Sequence, residues 1–183
     1  MRIGLIGTGR IGSFHAGVLG RHPGVDALVV TDPDAARAAG VAERTGARAV
    51  ASAAEVLAAG VDAVVITSAT AAHADLIGRA ARAGLPAFCE KPIALDLPGT
   101  LGALEEVERA GSVLQLGFMR RFDAGYGAAR AAVRGGALGR LHTVRTVTSD
   151  PRSPARRLSP ALRRPVQGLP GARLRHPAVG DGP

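Results

Sequence analysis

Short apolar runs and longer Ala-rich amphipathic stretches take turns along this chain. The runs Arg2-Ile3-Gly4-Leu5-Ile6, Ala27-Leu28-Val29-Val30, Asp62-Ala63-Val64-Val65-Ile66-Thr67, Ala87-Phe88-Cys89 and Val113-Leu114-Gln115-Leu116 are too short for helices. They also show little polar alternation, the pattern of parallel strands covered on both faces. Between them, residues 34 to 44, 52 to 59, 71 to 83 and about 97 to 110 read as crossover helices, with Ser52 and Glu55 spaced as a capping box. Strand-helix alternation with right-handed crossovers predicts a doubly wound parallel sheet, an α/β fold whose ligands bind beyond the carboxyl ends of the strands. A further helix at about 124 to 134 and a strand at Leu141 to Val147 are expected after it. No internal repeat and no heptad pattern is present.

With 183 residues the chain can hold one full domain and part of another. The net charge of +8 suggests nucleic acid until it is divided along the chain. Residues 1 to 150 carry 16 basic against 14 acidic residues, whereas residues 151 to 183 carry seven arginines against Asp181 alone. Seven of the twelve prolines also fall in that tail, so the composition breaks near Pro151. The expected divisions are residues 1 to 118 as the first domain, 119 to 150 as the start of a second, and 151 to 183 as an Arg/Pro-rich tail too poor in periodic apolar residues to form a core. No apolar stretch is long enough for a membrane span and no signal-peptide pattern opens the chain, so a soluble, cytoplasmic protein is expected. The single cysteine, Cys89, excludes an internal disulfide and is expected to serve as a small buried side chain.

The candidate chemistry begins at GTGRIG, Gly7 to Gly12, directly after the first strand. Gly7 allows the tight turn, Gly9 lets backbone N–H groups approach a pyrophosphate, and Gly12 lets the following helix pack closely on the sheet. The phosphates would rest on the positive end of that helix. Asp32, just beyond the second strand, can accept both ribose hydroxyls of an adenosine half, which points to NAD; the alternative is that Asp32 caps the helix that follows. Arg37 is near enough in sequence to keep NADP open. At the carboxyl ends of later strands stand Thr67, Ser68 and Thr70, then His73 at a helix start, then Glu90-Lys91-Pro92.

These segments carry a resemblance. GTGRIGSFHAGVL, TDPD, ITSATAAHADLIGRAARAGLPAFCEKPIALDL and GFMRRFDAGY resemble the glucose-fructose oxidoreductase and inositol dehydrogenase family (Gfo/Idh/MocA), and within it the inositol 2-dehydrogenases most, from Met1 to about Asp150. The resemblance implies a Rossmann domain followed by an α/β substrate domain, and NAD(P)-dependent oxidation of a secondary alcohol of a polyol or sugar. It implies Gly7, Gly9, Ile11, Gly12 and Asp32 as dinucleotide-binding, Ser68, Thr70 and His73 near the nicotinamide half, and Glu90 at its edge. Lys91 is implied as the catalytic lysine, a positive donor to the reacting oxygen, with Pro92 fixing its backbone. Arg120, Arg121 and Asp123 would border the substrate cleft, and the two arginines read equally well as a solvated helix start. No metal ligands are implied. Family members usually associate as homo-oligomers through the second domain.

After Asp150 the resemblance stops. The family continues with a GGxFxDxxxHxxD segment, whose Asp and His complete the catalytic set; the tail contains none, and His176 lacks the upstream Asp. Shifting the codons one nucleotide forward from Arg163, with GC-rich wobble bases, permits GGLFKDCxxHDFDTLRWV, which has the family's Asp-to-His spacing. The tail is therefore expected to be out of frame, and the chain to bind cofactor without turnover. The competing readings are a non-catalytic NAD-binding sensor, and an NAD-binding module whose basic arm contacts nucleic acid or an acidic partner. The arm's lack of lysine and aromatic residues argues against nucleic acid.

Overall fold

A computed structural model describes residues 1–147. The expectations for the tail, including its frame, its basic arm and His176, lie outside the described residues. One compact unit runs from Met1 to Ala137. Its elements follow the order β1 (Arg2–Ile6), α1 (Arg10–Leu19), β2 (Ala27–Thr31), α2 (Ala35–Thr45), β3 (Arg48–Ala49), α3 (Ala53–Leu57), β4 (Ala63–Ile66), α4 (His73–Arg82), β5 (Ala87–Cys89), α5 (Leu97–Arg109), β6 (Leu114–Leu116) and α6 (Ala124–Arg134). Two single 3-10 turns, Thr70–Ala72 and Met119–Arg121, precede α4 and α6.

All strand pairs are parallel, in the order β3-β2-β1-β4-β5-β6. The apolar runs are continuous because both faces are covered. Ile3, Leu5, Leu28, Val30 and Val65 pack with Ala16 of α1 and Val41 of α2. Ile6, Val29, Val64, Ile66 and Cys89 pack on the other face with Val56, Leu76, Ile77 and Ala103 of α3, α4 and α5. Successive strand residues point to opposite faces, so one run feeds both cores.

Side chains close the helix ends. Asp34, Asp96 and Asp123 accept hydrogen bonds from the backbone N–H of Arg37, Gly99 and Tyr126 at the starts of α2, α5 and α6. Ser52 accepts from Glu55 N at 3.2 Å, and the Glu55 carboxylate reaches back to Ala51 N at 3.3 Å, so the capping box forms with its return bond one residue early. Asp32 is not a cap; Asp34 does that work for α2.

Two features differ from the sequence expectation. The strand β3 has two exposed residues, Arg48 and Ala49, and no apolar run to announce it. The strand expected at Leu141 to Val147 is not formed: residues 141–147 are exposed and have no regular structure. Alternating residues supply only one side of a ladder, and no strand among the described residues pairs with them. Residues 138–147 belong to a separate unit from the sheet. Among the described residues, no helix is long and apolar enough to cross a membrane.

Candidate dinucleotide site

The order of the strands reverses between β1 and β4, and the turns that leave these two strands meet there. Gly7 adopts φ +99° in the turn out of β1, and a Cβ on it would lie 2.5 Å from the Ser68 backbone beyond β4. Only glycine permits both that backbone conformation and that approach. Gly12, in the first turn of α1, is packed tighter: a Cβ would stand 1.8 Å from Gly7 O and 2.7 Å from Thr67 Oγ1. Thr67 locks this corner by donating its hydroxyl to Gly7 O at 2.6 Å. The roles read from the sequence for Gly7 and Gly12 therefore have direct steric counterparts.

Gly9 is different. A Cβ there would meet nothing within 4 Å, so its surroundings are open. It begins α1 with no side-chain cap, and the first turn of that helix contains no acidic residue. The leading amides of a helix have no intrahelical acceptor and present partial positive charge. Beside them the Thr8 hydroxyl is buried without a hydrogen-bond partner. An open cradle, uncapped amides and an orphaned hydroxyl fit the pyrophosphate of a dinucleotide. Ile11 is exposed on this same first turn.

Asp32 is 8% exposed at the end of β2. Its Oδ2 accepts from Thr8 N at 2.7 Å and its Oδ1 from Asp34 N at 2.9 Å, so the carboxylate joins the glycine turn to the start of α2. Each oxygen keeps a further lone pair for an outside donor. Arg37 lies 3.7 Å from Asp32 and 3.5 Å from Asp34, its charge shared between two carboxylates.

On the far side of the switch point, Ser68 is half-buried and Thr70 opens the 3-10 turn before α4. His73 is 2% exposed. Its Nδ1 lies 2.7 Å from Pro92 O and its Nε2 3.0 Å from Ser68 O, so both ring nitrogens face backbone carbonyls and neither is free for a ligand. The ring thus lies wedged between the chain after β4 and the chain after β5, with one N–H donor for the two carbonyls in either neutral tautomer.

Lys91 follows β5, exposed, and its peptide bond to Pro92 is cis. It is the single lysine of the chain, and its ammonium has no partner among the described residues. Glu90 places Oε2 3.3 Å from Lys91 N and Oε1 3.0 Å from Nε2 of His15. His15 sits on α1 and was not singled out by the sequence reading; its partner is 75 positions away. Arg120 donates to the Tyr126 hydroxyl and stacks over that ring at 4.9 Å, beside Arg121 in the second 3-10 turn.

Cys89 is fully buried, as its surroundings in the sequence suggest. Burial, aided by the Glu90 charge, pushes its thiol from an ordinary 9.0 up to about 12. A thiol reagent at mildly alkaline pH is expected to label the unfolded chain and leave the folded one untouched; rapid native labelling counts against this burial. Because the folded thiol titrates above the unfolded one, its contribution to stability is intact below pH 9.0 and is lost as pH climbs towards about 12.

A parallel sheet of this order, with a glycine turn and an acidic residue flanking its switch point, defines a dinucleotide-binding Rossmann domain. The chain belongs to the GFO_IDH_MocA family, described as an oxidoreductase family with an NAD-binding Rossmann fold, whose model matches residues 1–118. It is 42% identical over 156 residues to the myo-inositol dehydrogenase Hyg17 of Streptomyces leeuwenhoekii, covering 82% of this chain and 46% of that protein. Among solved structures, a myo-inositol dehydrogenase from Corynebacterium glutamicum is 43% identical with a TM-score of 0.70, covering 77% of this chain and 43% of the other. The scyllo-inositol dehydrogenase from Lactobacillus casei, with bound NAD(H) and scyllo-inositol, is 31% identical with a TM-score of 0.72, covering 76% and 42%. The chain thus spans about half the length of the curated relatives it matches.

Proposed function

We propose that this chain binds NAD through Gly7 to Gly12 and Asp32, and that it is the cofactor-binding part of a dehydrogenase acting on inositol or a related polyol or sugar. The observation that carries the reading is the convergence of the open Gly9 cradle, the Asp32 carboxylate and the unpartnered Lys91 ammonium at one edge of the sheet. Bound NAD supplies the hydride acceptor. In this reading the amides of α1 hold the phosphates and Asp32 accepts from the adenosine ribose. Ser68, Thr70 and Glu90 flank the nicotinamide half, and the positive ammonium of Lys91 donates a hydrogen bond to the substrate oxygen. His73 acts by holding Ser68 and Pro92 in place, not by touching the cofactor. The names of the relatives support a polyol substrate; the homo-oligomer expected for the family belongs to the same proposal.

Residues 1 to 183 contain no GGxFxDxxxHxxD segment to exchange the alcohol proton. Titration of the chain with NADH is therefore expected to give a saturating fluorescence response, and mixing it with myo-inositol and NAD to give no rise in NADH absorbance. NADH should bind at least about tenfold tighter than NADPH, because a 2′-phosphate would meet Asp32 while Arg37 is already shared between two carboxylates. Equal affinity for the two would remove Asp32 from the ribose site. A chain folded by circular dichroism that gives no response to NADH sinks the proposal as a whole.

A further inference from the structure

We infer that His15 is a positioning residue: through Glu90 it latches the helix carrying the phosphate loop to the segment carrying Lys91. The inference rests on the NAD-binding reading above. No sheet hydrogen bond joins the two segments, since β4 lies between β1 and β5. The direct side-chain tie is the contact of 3.0 Å between His15 Nε2 and Glu90 Oε1. A carboxylate only accepts, so Nε2 donates.

The surroundings hold both partners in one geometry. The His15 ring packs edge-on against Phe14 of its own helix, with centroids 5.9 Å apart, and against Phe88 of β5 at 5.4 Å. Glu90 is confined from below: a Cβ on Gly117 would stand 3.1 Å from its carboxylate and 3.0 Å from the Phe88 ring. Both side chains are about three-quarters buried, at 25% and 23% exposure, so water competes weakly for the bond. The second carboxylate oxygen of Glu90 faces the Lys91 amide at 3.3 Å, which carries the constraint to the backbone of the lysine.

A dinucleotide is gripped at two places in this site. Its phosphates rest on the start of α1, and its nicotinamide end lies towards Lys91. The latch sets the separation of those two grips, so its loss should weaken recognition of the nicotinamide end and spare the adenosine diphosphate end. ADP-ribose, which keeps the adenosine diphosphate and lacks nicotinamide, separates the two.

The test is calorimetric titration of the full chain with NADH and with ADP-ribose. His15→Phe keeps an aromatic ring between Phe14 and Phe88 and removes the donor. It is expected to bind NADH about fivefold to tenfold more weakly and ADP-ribose within about twofold of the parent. His15→Gln, which can again donate to Glu90, should recover most of the NADH affinity. Should His15→Phe fail to fold, His15→Leu removes the donor with a smaller apolar side chain and should show the same selective loss. Unchanged binding of both ligands, an equal loss of both, or no recovery with glutamine overturns the latch. Failure of the parent chain to bind NADH overturns the NAD reading instead.

Discussion

Replacing Gly12 with alanine is expected to lower the melting temperature by roughly 6–12 °C and to abolish measurable NADH binding. The new methyl would lie 1.8 Å from Gly7 O and 2.9 Å from Gly7 C, and both are backbone atoms of a turn held by its own bonds. Gly7 N donates to Thr31 O at 2.8 Å, and Gly7 O accepts from Thr67. The turn cannot retreat without breaking these, so α1 must move off the sheet. Overpacking of this kind costs about 3 kcal/mol, and each kcal/mol is worth about 2–4 °C in a chain of this size. Gly9→Ala is the matched contrast. Nothing lies within 4 Å of its added methyl, and its φ of -62° suits alanine. Its melting temperature should stay within about 2 °C of the parent while NADH affinity falls about tenfold or more, because the methyl occupies the phosphate cradle. Thermal denaturation followed by NADH titration of both variants decides the matter. Full NADH affinity in Gly9→Ala would falsify the placement of the phosphates.

The second large effect is expected at Asp32. Asp32→Ala removes the acceptor of Thr8 N, a donor in a residue only 1% exposed, and leaves that N–H buried and unpaired. This costs about 2 kcal/mol, or roughly 4–8 °C. The bond from Asp34 N matters less, because Asp34 is exposed and water can replace the lost acceptor. The same change should weaken NADH binding about tenfold and bring the NADH and NADPH affinities close together. It removes the carboxylate that a 2′-phosphate would meet and leaves Arg37 with Asp34 alone at 3.5 Å. Asp32→Asn, which retains a carbonyl acceptor for Thr8, should recover part of the stability and little of the discrimination. Stability equal to the parent in Asp32→Ala, with cofactor preference intact, would show that the carboxylate neither braces the turn nor reads the ribose.

The effects at Gly12 and Asp32 also show where structure adds to sequence. The motif spacing already singles out both residues as parts of a dinucleotide site. It does not show that Asp32 is spent partly on the protein's own backbone, binding the glycine turn before any ribose arrives. His73 follows the same course: a histidine at the head of a helix reads as a ligand-facing group, yet its ring nitrogens are both taken by backbone carbonyls. The role of His15 is not legible in the sequence because its partner, Glu90, lies 75 positions away and is brought near only by the crossovers between β1 and β5. The one trace of it in the sequence is a polar ring set beside Phe14 in a helix that otherwise serves the glycine loop.

The longer strands and the helices were legible for a local reason. A parallel strand buried on both faces must be apolar throughout, as Leu28-Val29-Val30 and Val64-Val65-Ile66 are, and an aspartate or serine before an Ala-rich stretch caps it. The fold class, the glycine turn and the buried Cys89 follow from such local requirements. Neighbours decided the rest. The two-residue β3 exists because it pairs with β2, and residues 141–147, with no strand among the described residues paired to them, form no strand. Which polar groups stay open to a ligand, as at Gly9 and Lys91, and which are consumed in bracing, as at His73 and Glu90, depends on distances across the sheet edge. Short-range chemistry sets the longer elements of this chain; only their packing sets which of its polar atoms remain unpaired.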